Sequence, residues 1–422
     1  MKDRIKKIRK ESSEKTLEKF GAKIGISAAA LSQIENGKTE ASKQTINTIC
    51  DKFGVNEVWL RTGEGDVYAK MPEDDLIKRT TELLGKHDPF FESLREDYPG
   101  FDEWFEGKSD KKAFVQYENG KVIGFLYLKL ERELVDDVVP NIYADKILKV
   151  GTFKINAHGT KMGEQFIKII IDSAMSADAD VCYTTIYEKH QSLIELVQRF
   201  GFELCGTKGE GSHKENVYVK QMKRITGNID KDFPYINCSG RKYLLSIYPQ
   251  YHSVMFPDSI LVTENKNIIT DVSYTNSIHK IYVCRMDGVE YLKQGDILVL
   301  YRTGERENGK SAEYSSVASS ICVVEDVKMQ NEFKNFEQFY NYASKYSVFD
   351  KDNLHYWYKR GYCKAIKMTY NFAFKKRIVR HDLIESIGLD RNQYWGFLKL
   401  SDEQFYKIAQ RGGADKILIN RN

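Results

Sequence analysis

The sequence predicts a multidomain protein of three parts: an all-α segment, a mixed α/β segment and a β-rich segment. In residues 1–70 apolar residues recur at three- and four-residue steps, which is the spacing of amphipathic helices. In residues 71–224 strand-like and helix-like runs alternate, and in residues 225–422 short runs rich in β-branched and aromatic residues predominate. These three segments are the predicted domains.

Composition limits the classes to which the chain can belong. The seven cysteines are scattered without a C-x-x-C pair, so neither a disulfide framework nor a metal site is predicted. No stretch approaches the roughly 18 uninterrupted apolar residues of a membrane-spanning helix. We therefore expect a cytoplasmic protein that makes no membrane contact.

Charge is distributed unevenly along the chain. Residues 1–70 carry 14 Lys and Arg against 10 Asp and Glu, residues 71–224 carry 22 against 27, and residues 225–422 carry 28 against 23. Two mildly basic ends therefore flank an acidic middle. This pattern is compatible with nucleic-acid contact at both ends.

The first segment reads as two short helices joined by a tight turn. The first helix is expected to end before G-I-S (residues 25–27), and the second is expected to end at Gly37. Two helices with a short glycine-containing connection form the helix-turn-helix unit, whose second helix enters the major groove of DNA.

The stretch L-E-K-F-G-A-K-I-G-I-S-A-A-A-L-S-Q-I-E-N-G-K (residues 17–38) resembles the Cro/repressor (Xre-type) family, and F-G-V-N-E-V-W-L-R-T-G-E-G (residues 53–65) matches the usual ending of that family. The resemblance implies a double-stranded DNA operator as the partner and a homodimer on paired half-sites. It places six residues at bases or phosphates: Ala28, Ala29, Ser32, Gln33, Lys38 and Lys43. Because alanine cannot hydrogen-bond to a base, we expect a short or weakly specified site.

The middle segment follows a linker-like acidic stretch at residues 71–75. K-K-A-F-V-Q-Y-E-N-G-K-V-I-G-F-L-Y-L-K-L (residues 111–130) predicts two strands joined by Asn-Gly. A strand at I-L-K-V-G-T-F-K-I (residues 147–155), a turn and a helix come next, and then a buried strand at V-C-Y-T-T-I-Y (residues 181–187) and a second helix.

This order resembles the GNAT N-acetyltransferase superfamily, in which the acyl-CoA pyrophosphate lies on the turn after the fourth strand. A helix N-terminus attracts an anion through its unpaired N–H groups. The superfamily pattern Gln/Arg-x-x-Gly-x-Gly/Ala falls on His158, Lys161 and Gly163, so only the last position is kept. The resemblance implies acetyl-CoA as the cofactor, held near eight residues: Phe153, Ile155, His158, Gly159, Lys161, Met162, Gly163 and Glu164.

Catalysis by this segment would need a group that exchanges protons with the acceptor amine and the leaving thiolate. The tyrosine that the superfamily often uses as general acid aligns with Val197, which cannot donate a proton. Glu188 and His190, in I-Y-E-K-H at the end of the buried strand, are the catalytic candidates. The sequence leaves open whether the segment is an active acetyltransferase.

The C-terminal segment contains four further strand-like runs. They are K-Y-L-L-S-I-Y-P-Q-Y-H-S-V-M-F-P (residues 242–257), I-H-K-I-Y-V-C-R-M (278–286), L-K-Q-G-D-I-L-V-L-Y-R-T-G (292–304) and S-S-V-A-S-S-I-C-V-V-E-D-V (315–327). A helical insertion and a last strand near residues 366–374 follow. Strands at this spacing predict a small closed barrel with helical insertions.

The pieces L-K-Q-G-D-I-L-V-L-Y and A-S-S-I-C-V-V-E-D-V resemble PUA-like domains, the superfamily of the EVE and ASCH modules. The resemblance implies that RNA, tRNA or a modified base is the partner. Aromatic rings stack on bases, and basic side chains meet phosphates. Four residues are expected at such a pocket: Tyr301, Arg302, Trp357 and Trp395.

Two functions remain open from the sequence. The first is a DNA-binding transcriptional regulator with a GNAT domain that binds acetyl-CoA and a PUA-like domain that binds RNA or a modified base. By analogy, such a fusion suggests a toxin–antitoxin or phage-defence locus. The second is a non-enzymatic regulator in which the GNAT fold is a degenerate binding or dimerisation module.

Overall fold

The computed structural model describes residues 1–11, 16–53, 55, 57–63, 88–108, 113–118, 121–156, 162–259, 277–304 and 311–420. These residues form two compact units, the first ending at Phe125 and the second beginning at Leu126. The expected linker at residues 71–75 lies outside the described residues.

The first unit begins with five helices. They are α1 (Lys2–Glu11), α2 (Leu17–Ile24), α3 (Ala28–Glu35), α4 (Lys43–Phe53) and α5 (Glu57–Thr62). Thr16 caps α2, because its hydroxyl accepts a hydrogen bond from the Lys19 N–H, and Ser27 caps α3 by accepting from the Ala30 N–H. The expected helix-turn-helix is therefore present.

Two glycines allow the tight connection between α2 and α3. Gly25 ends α2 with a φ of 76°, a left-handed conformation that glycine adopts without strain. Gly21 lies inside α2, where a Cβ atom would come within 2.8 Å of the Ile26 carbonyl oxygen. The helices then pack around a shared apolar core in which the Phe20 and Phe53 rings stack at 4.4 Å.

The rest of the first unit is rich in aromatic residues. It contains α6 (Glu92–Asp97), α7 (Phe101–Glu106) and β1 (Phe114–Glu118). The ring of Phe91 lies 5.1 to 5.5 Å from the rings of Phe101, Phe105 and Phe125. This cluster of rings packs α7 against Phe91 and Phe125, the last residue of the unit.

The first half of the second unit contains a mixed sheet, as expected. Its elements are β2 (Lys121–Val135), β3 (Ile142–Ile155), α8 (Met162–Ser176), β4 (Val181–Ile186), α9 (Gln191–Arg199), β5 (Glu203–Lys208) and β6 (Glu215–Gln221). Strand β2 begins before the boundary between the units. The neighbours in the sheet are β2-β3-β4-β6-β5; β3 and β4 are parallel, and β6 is antiparallel to β4 and to β5.

The second half of this unit starts with short elements. They are α10 (Ile229–Asp232), β7 (Ile236–Asn237), β8 (Lys242–Ile247), α11 (Pro249–Met255), β9 (His279–Cys284), β10 (Ile297–Arg302), α12 (Ala312–Ser315) and β11 (Val317–Met329). They continue with α13 (Phe336–Ala343), α14 (Lys351–Lys359), β12 (Lys364–Val379), α15 (Arg380–Glu385), β13 (Phe397–Leu400), α16 (Asp402–Gly412) and β14 (Leu418–Ile419).

Six of these strands pair in the order β13-β8-β10-β11-β12-β9. Among the described strands, no pairing joins β13 to β9, so a closed barrel is not confirmed. The sheet is buried on both faces: Leu298 and Leu300 belong to one apolar cluster with α13 and α14, whereas Ile297 and Val299 belong to another with α16. Helices on both faces explain why β10 reads as one continuous apolar run.

Membrane insertion finds no support among the described helices. None of them combines the length and the apolar character that crossing a bilayer requires.

A buried ion pair joins α1 to α3. The Nε and Nη2 atoms of Arg9 each lie 2.7 Å from a carboxylate oxygen of Glu35, and the Glu35 side chain is only 5% exposed. Removing one partner of such a pair leaves a buried charge without compensation.

We therefore expect Arg9→Ala to destabilise the helices of the first unit by about 3 kcal/mol. Hydrogen–deuterium exchange of peptides from α1 to α4, followed in the full chain as urea is raised, measures the loss. The exposed Lys10 is the matched control, and Lys10→Ala should leave the exchange unchanged. Equal exchange in both variants would contradict a stabilising role for the pair.

Candidate functional site

The expected DNA-reading residues lie on and just beyond α3. Ala29, Gln33 and Lys38 are exposed, whereas Ala28 and Ser32 are half-buried. The Ser32 hydroxyl accepts a 3.3 Å hydrogen bond from the Asn36 amide nitrogen, so part of its bonding capacity is used within the helix. Lys43 begins α4, and its side chain is outside the described set. Gln33 is thus the exposed hydrogen-bonding side chain among the expected base readers.

The parallel strands β3 and β4 pair over only four residues. Ile147–Val150 is matched with Val181–Thr184, while β3 continues to Ile155 and β4 continues to Ile186. Past Val150 the paired ladder between them ends. Residues 151–155 therefore present a strand edge toward β4 that can pair with an extended ligand.

Phe153 and Ile155, two expected cofactor residues, lie on this free edge of β3 and are half-buried. The Phe153 ring lies 5.6 Å from the Phe166 ring of α8, which holds the strand end over the helix. His158, Gly159 and Lys161 in the following turn lie outside the described residues.

Helix α8 begins with Met162, which is buried, and Gly163. A Cβ atom on Gly163 would lie 2.8 Å from Leu196 Cδ2, so the glycine allows α8 and α9 to approach closely. Phosphate contact and close packing are two separate explanations for a glycine at this position. The distance to Leu196 supplies a definite packing partner, which is a neighbouring helix.

Glu164, the last expected cofactor residue, is buried and points toward residues of the C-terminal half. Its Oε1 atom accepts hydrogen bonds from Arg199 Nη1 at 2.9 Å and from the Tyr346 hydroxyl at 2.7 Å. Its Oε2 atom is buried without a hydrogen-bond partner. Glu164 therefore forms an ion pair inside the unit.

Arg199 is the centre of this buried network. Its Nε atom donates to Asp230 Oδ2 at 2.9 Å, and its Nη2 atom donates to His279 Nε2 at 2.6 Å. A guanidinium can only donate, so Nε2 of His279 accepts and the proton is on Nδ1. The Nδ1 atom of His279 then donates to Glu325 Oε1 at 2.5 Å.

Asp230, His279 and Glu325 have the spacing of a metal site, with ligand atoms within 4.8 Å of one another. The guanidinium of Arg199 instead contacts both Asp230 and the His279 Nε2 atom, and Lys367 Nζ lies 2.6 Å from Glu325 Oε2. The cluster thus contains its own cations, which compensate the carboxylates in place of a metal ion.

The same contacts determine the charge of Glu325. Burial opposes ionisation of Glu325, but the hydrogen bond from His279 and the charge of Lys367 lower its pKa to about 2. Glu325 is therefore a carboxylate at any pH near neutrality.

The predicted catalytic residues Glu188 and His190 are both exposed, and His190 caps the start of α9 without a side-chain capping bond. Val197, at the position of the superfamily tyrosine, is buried. Sequence reasoning missed a polar group formed by Tyr183, Glu131 and Lys149. The Tyr183 hydroxyl of β4 donates to Glu131 Oε2 of β2 at 2.8 Å, and Lys149 Nζ of β3 lies 5.4 Å from the Tyr183 ring. Its members lie on three strands, so no local motif could reveal it.

Glu131 also borders a cleft of about 450 Å³ lined by residues between 129 and 137. Burial and the neighbouring charge of Lys208 lower the pKa of Lys149, which lies next to this group. Lys149 therefore holds its proton less firmly than an exposed lysine does.

The expected C-terminal pocket residues divide between the two faces of the sheet. Tyr301 and Trp395 are buried together in one cluster, with ring centroids 5.3 Å apart, whereas Trp357 packs against the cluster on the opposite face. Arg302 is buried beside His252, and its charge together with burial lowers the pKa of His252 to about 3. Two of the four residues, Tyr301 and Trp395, are therefore in contact.

Comparison with known proteins gives one match for the N-terminal part. Residues 5–60 match the helix-turn-helix family model HTH_3. No curated protein matches the chain.

Three solved structures resemble parts of the chain. The ASCH protein of Zymomonas mobilis is 8% identical, with 40% of this chain and 94% of that chain covered and a TM-score of 0.29. A GNAT-family acetyltransferase of Streptococcus agalactiae is 14% identical, with 32% and 79% covered and a TM-score of 0.25. Aminoglycoside 6'-acetyltransferase type Ii is 11% identical, with 36% and 97% covered and a TM-score of 0.27.

The match over residues 5–60 confirms the helix-turn-helix resemblance stated from the sequence. The likenesses to the solved structures are too distant to locate a functional residue. The N-terminal segment is a helix-turn-helix of the DNA-binding kind.

The lowered pKa of Glu325 predicts a specific pH dependence of stability. Its pKa falls from an ordinary 4.5 to about 2 on folding, so its stabilisation is complete above about pH 4.5 and is lost as the pH falls toward 2. Between pH 6 and pH 3 the native chain should lose about 2 kcal/mol more than Glu325→Gln, as measured by urea unfolding. Glu337→Gln, at an exposed position, should behave like the native chain, and an unchanged pH dependence in Glu325→Gln would contradict the network.

Proposed function

We propose that the protein is a transcriptional regulator whose first unit reads double-stranded DNA with α3. The observation that carries this proposal is the capped helix-turn-helix with Ala29, Gln33 and Lys38 exposed along one stretch. In such a unit the N-terminal residues of the second helix face base edges, and flanking lysines contact phosphates.

We expect the glutamine and alanine side chains of α3 to determine sequence specificity and the nearby lysines to determine overall affinity. An amide such as that of Gln33 can form two hydrogen bonds with adenine in the major groove, and alanine methyl groups can pack against thymine methyls. Lys38 and Lys43 would neutralise phosphates on any sequence. We also propose that two copies bind paired half-sites of the operator.

Gln33→Ala and Lys38→Ala are expected to differ in how they change the preference for a selected site over random DNA. Gln33→Ala should reduce discrimination between a selected site and random duplex by about 1 to 3 kcal/mol. Lys38→Ala should instead weaken binding to both duplexes equally and reduce the salt slope by about 1. Fluorescence anisotropy at several salt concentrations measures both effects. Equal losses on both duplexes for Gln33→Ala would contradict base reading by α3.

As a second function, we propose that the second unit binds acetyl-CoA at the end of β3. The supporting observation is the ladder that stops at Val150, because it leaves the β3 edge at residues 151–155 open toward β4 for an extended pantetheine chain. The pyrophosphate would then meet the start of α8 near Gly163.

Acetyl transfer would be a second activity beyond acetyl-CoA binding, and the residues near the site bear on it in opposite ways. The exposed positions of Glu188 and His190 and the apolar Val197 favour the alternative, a binding or dimerisation module without catalysis. The hydrogen bond between Tyr183 of β4 and Glu131 of β2 favours transfer, because it places a phenol beside a carboxylate across the intervening β3. RNA, tRNA or a modified base stays the proposed partner of the C-terminal half on the resemblance of its sequence to PUA-like domains, whereas the burial of Tyr301 and Trp395 keeps their rings from stacking on a base.

Acyl-CoA binding can be tested at the start of α8. Gly163→Trp should weaken acetyl-CoA binding at least about tenfold in calorimetry, because the indole obstructs the approach of phosphate to the backbone. Leu196→Ala removes the side chain that a Cβ atom at residue 163 would meet, so it serves as the control and should bind like the native chain.

Gly163→Ala, alone and with Leu196→Ala, isolates the packing effect of this glycine. Because the superfamily pattern admits alanine here, the double variant should bind acetyl-CoA like the native chain, and a loss in Gly163→Ala that Leu196→Ala restores would be a packing effect. Full binding by Gly163→Trp would contradict phosphate contact at the start of α8, and no binding by the native chain would overturn the acetyl-CoA proposal itself.

A further inference from the structure

Three strand ends meet on one side of the C-terminal sheet. Strand β10 is followed by Thr303 and Gly304, β11 is preceded by Ser316, and β12 is followed by Arg380. The Gly304 N–H donates to the Ser316 hydroxyl at 2.8 Å, and the Arg380 N–H donates to the Ser316 carbonyl at 2.9 Å. Because neighbouring strands are about 4.8 Å apart, Thr303 and Arg380 lie on either side of Ser316 within reach of one ligand.

Four buried polar atoms at this place have no hydrogen-bond partner. They are Tyr301 Oη, Thr303 Oγ1, Arg380 Nε and His381 Nδ1. Tyr301 is only 2% exposed, and its hydroxyl lies beside Ser316 and Arg380. Buried polar groups in native proteins are almost always paired, because an unpaired group loses its bonds to water without compensation. A group of four such atoms therefore indicates a missing partner.

The charge at this place indicates what the partner is. The Arg380 guanidinium lies 4.3 Å from the centre of the Trp395 ring, and its Nη2 atom donates to the Arg391 carbonyl. Among the described residues no carboxylate pairs with Arg380. The neighbouring Arg391, by contrast, is paired with Glu313 at 3.0 Å and with Glu385 at 2.6 Å. Arg380 thus keeps a positive charge that the protein does not neutralise.

The unpaired atoms are suited to donate. Burial raises the pKa of Tyr301, so its hydroxyl stays protonated near neutral pH. The hydroxyl of Thr303 and the Nε–H of Arg380 are donors too, and His381 Nδ1 becomes one in the protonated or the Nδ1–H form. Its nearest carboxylate, Glu313, is 3.6 Å away, beyond a hydrogen bond. Donors around a guanidinium match the oxygens of a phosphate or a carboxylate.

We propose that Tyr301, Thr303, Arg380 and His381 form a binding site for the oxyanion of a small molecule, a phosphate or carboxylate group. Tyr314, beside the site, is 62% exposed and stacks on the His381 ring at 5.0 Å. Its open face offers a surface for a flat group attached to the oxyanion. The site does not depend on the DNA or acetyl-CoA proposals, but it includes Tyr301, which is also one of the residues expected at the nucleic-acid pocket of the C-terminal half.

The test uses the full chain and four probes: inorganic phosphate, a 5'-mononucleotide, the matching unphosphorylated nucleoside, and benzoate. Ligand-observed NMR titrations at constant ionic strength report saturable binding. Arg380→Gln removes the charge while keeping a donor, and Tyr301→Phe removes a hydroxyl that has no partner. The paired Arg391 is the matched control, as Arg391→Gln.

We expect at least one of the oxyanion probes to bind and the nucleoside to bind more weakly. Arg380→Gln should weaken oxyanion binding about tenfold or more, while Arg391→Gln changes it little. A preference for the mononucleotide would identify phosphate as the group, and a preference for benzoate would identify carboxylate.

Tyr301→Phe gives an independent readout. Because the Tyr301 hydroxyl interacts only with Ser316 and Arg380 and makes no hydrogen bond of good geometry, the variant should melt close to the native temperature without ligand and yet bind the oxyanion more weakly. The proposal is overturned if the native chain binds none of the oxyanions. It is equally overturned if Arg380→Gln binds them as well as the native chain does, or if the nucleoside binds as well as the mononucleotide.

Discussion

The guanidinium of Arg199 is the interaction on which the second unit depends. Its three nitrogens contact Glu164 of α8, Asp230 of α10 and His279 of β9, which are separated by up to 115 positions in the chain. Burying several charges is costly unless each is hydrogen-bonded and compensated. The contacts continue from His279 to Glu325 and from Glu325 to Lys367. Of the carboxylate oxygens described above for this network, all but Glu164 Oε2 have a partner.

This network explains the unusual burial of α8. A helix that packs on a single sheet has one apolar face and one polar face, but α8 also buries Glu164 and Lys168. Lys168 reaches Asp258 of the C-terminal half at 2.7 Å, just as Glu164 reaches Tyr346. The helix is thus held between the mixed sheet and the C-terminal half. A ligand that shifts the start of α8 would disturb both ion pairs, so the two halves of the unit are mechanically linked.

Sequence reasoning succeeded where local spacing carries the information. Helix periodicity and capping predicted α2 and α3, and the alternation of strands and helices predicted the mixed sheet. The closed barrel was not confirmed, because the spacing of strands does not reveal that helices cover both faces of a sheet. The polar groups built from distant residues, such as Arg199 with His279, leave no local signature. Of the residues expected at the C-terminal pocket, Tyr301 and Trp395 meet, while Trp357 lies on the other face.

The composition of α3 constrains how the first unit can recognise DNA. A specific complex exceeds random binding by about 4 kcal/mol or more, and one bidentate contact to a base contributes about 1 to 3 kcal/mol. Gln33 is the exposed amide among the reading positions, beside alanines that contribute only methyl contacts. One helix is therefore insufficient for a unique operator, whereas two copies on paired half-sites double the discrimination without any new contact. The weak chemistry of α3 is thus an argument for binding as a dimer.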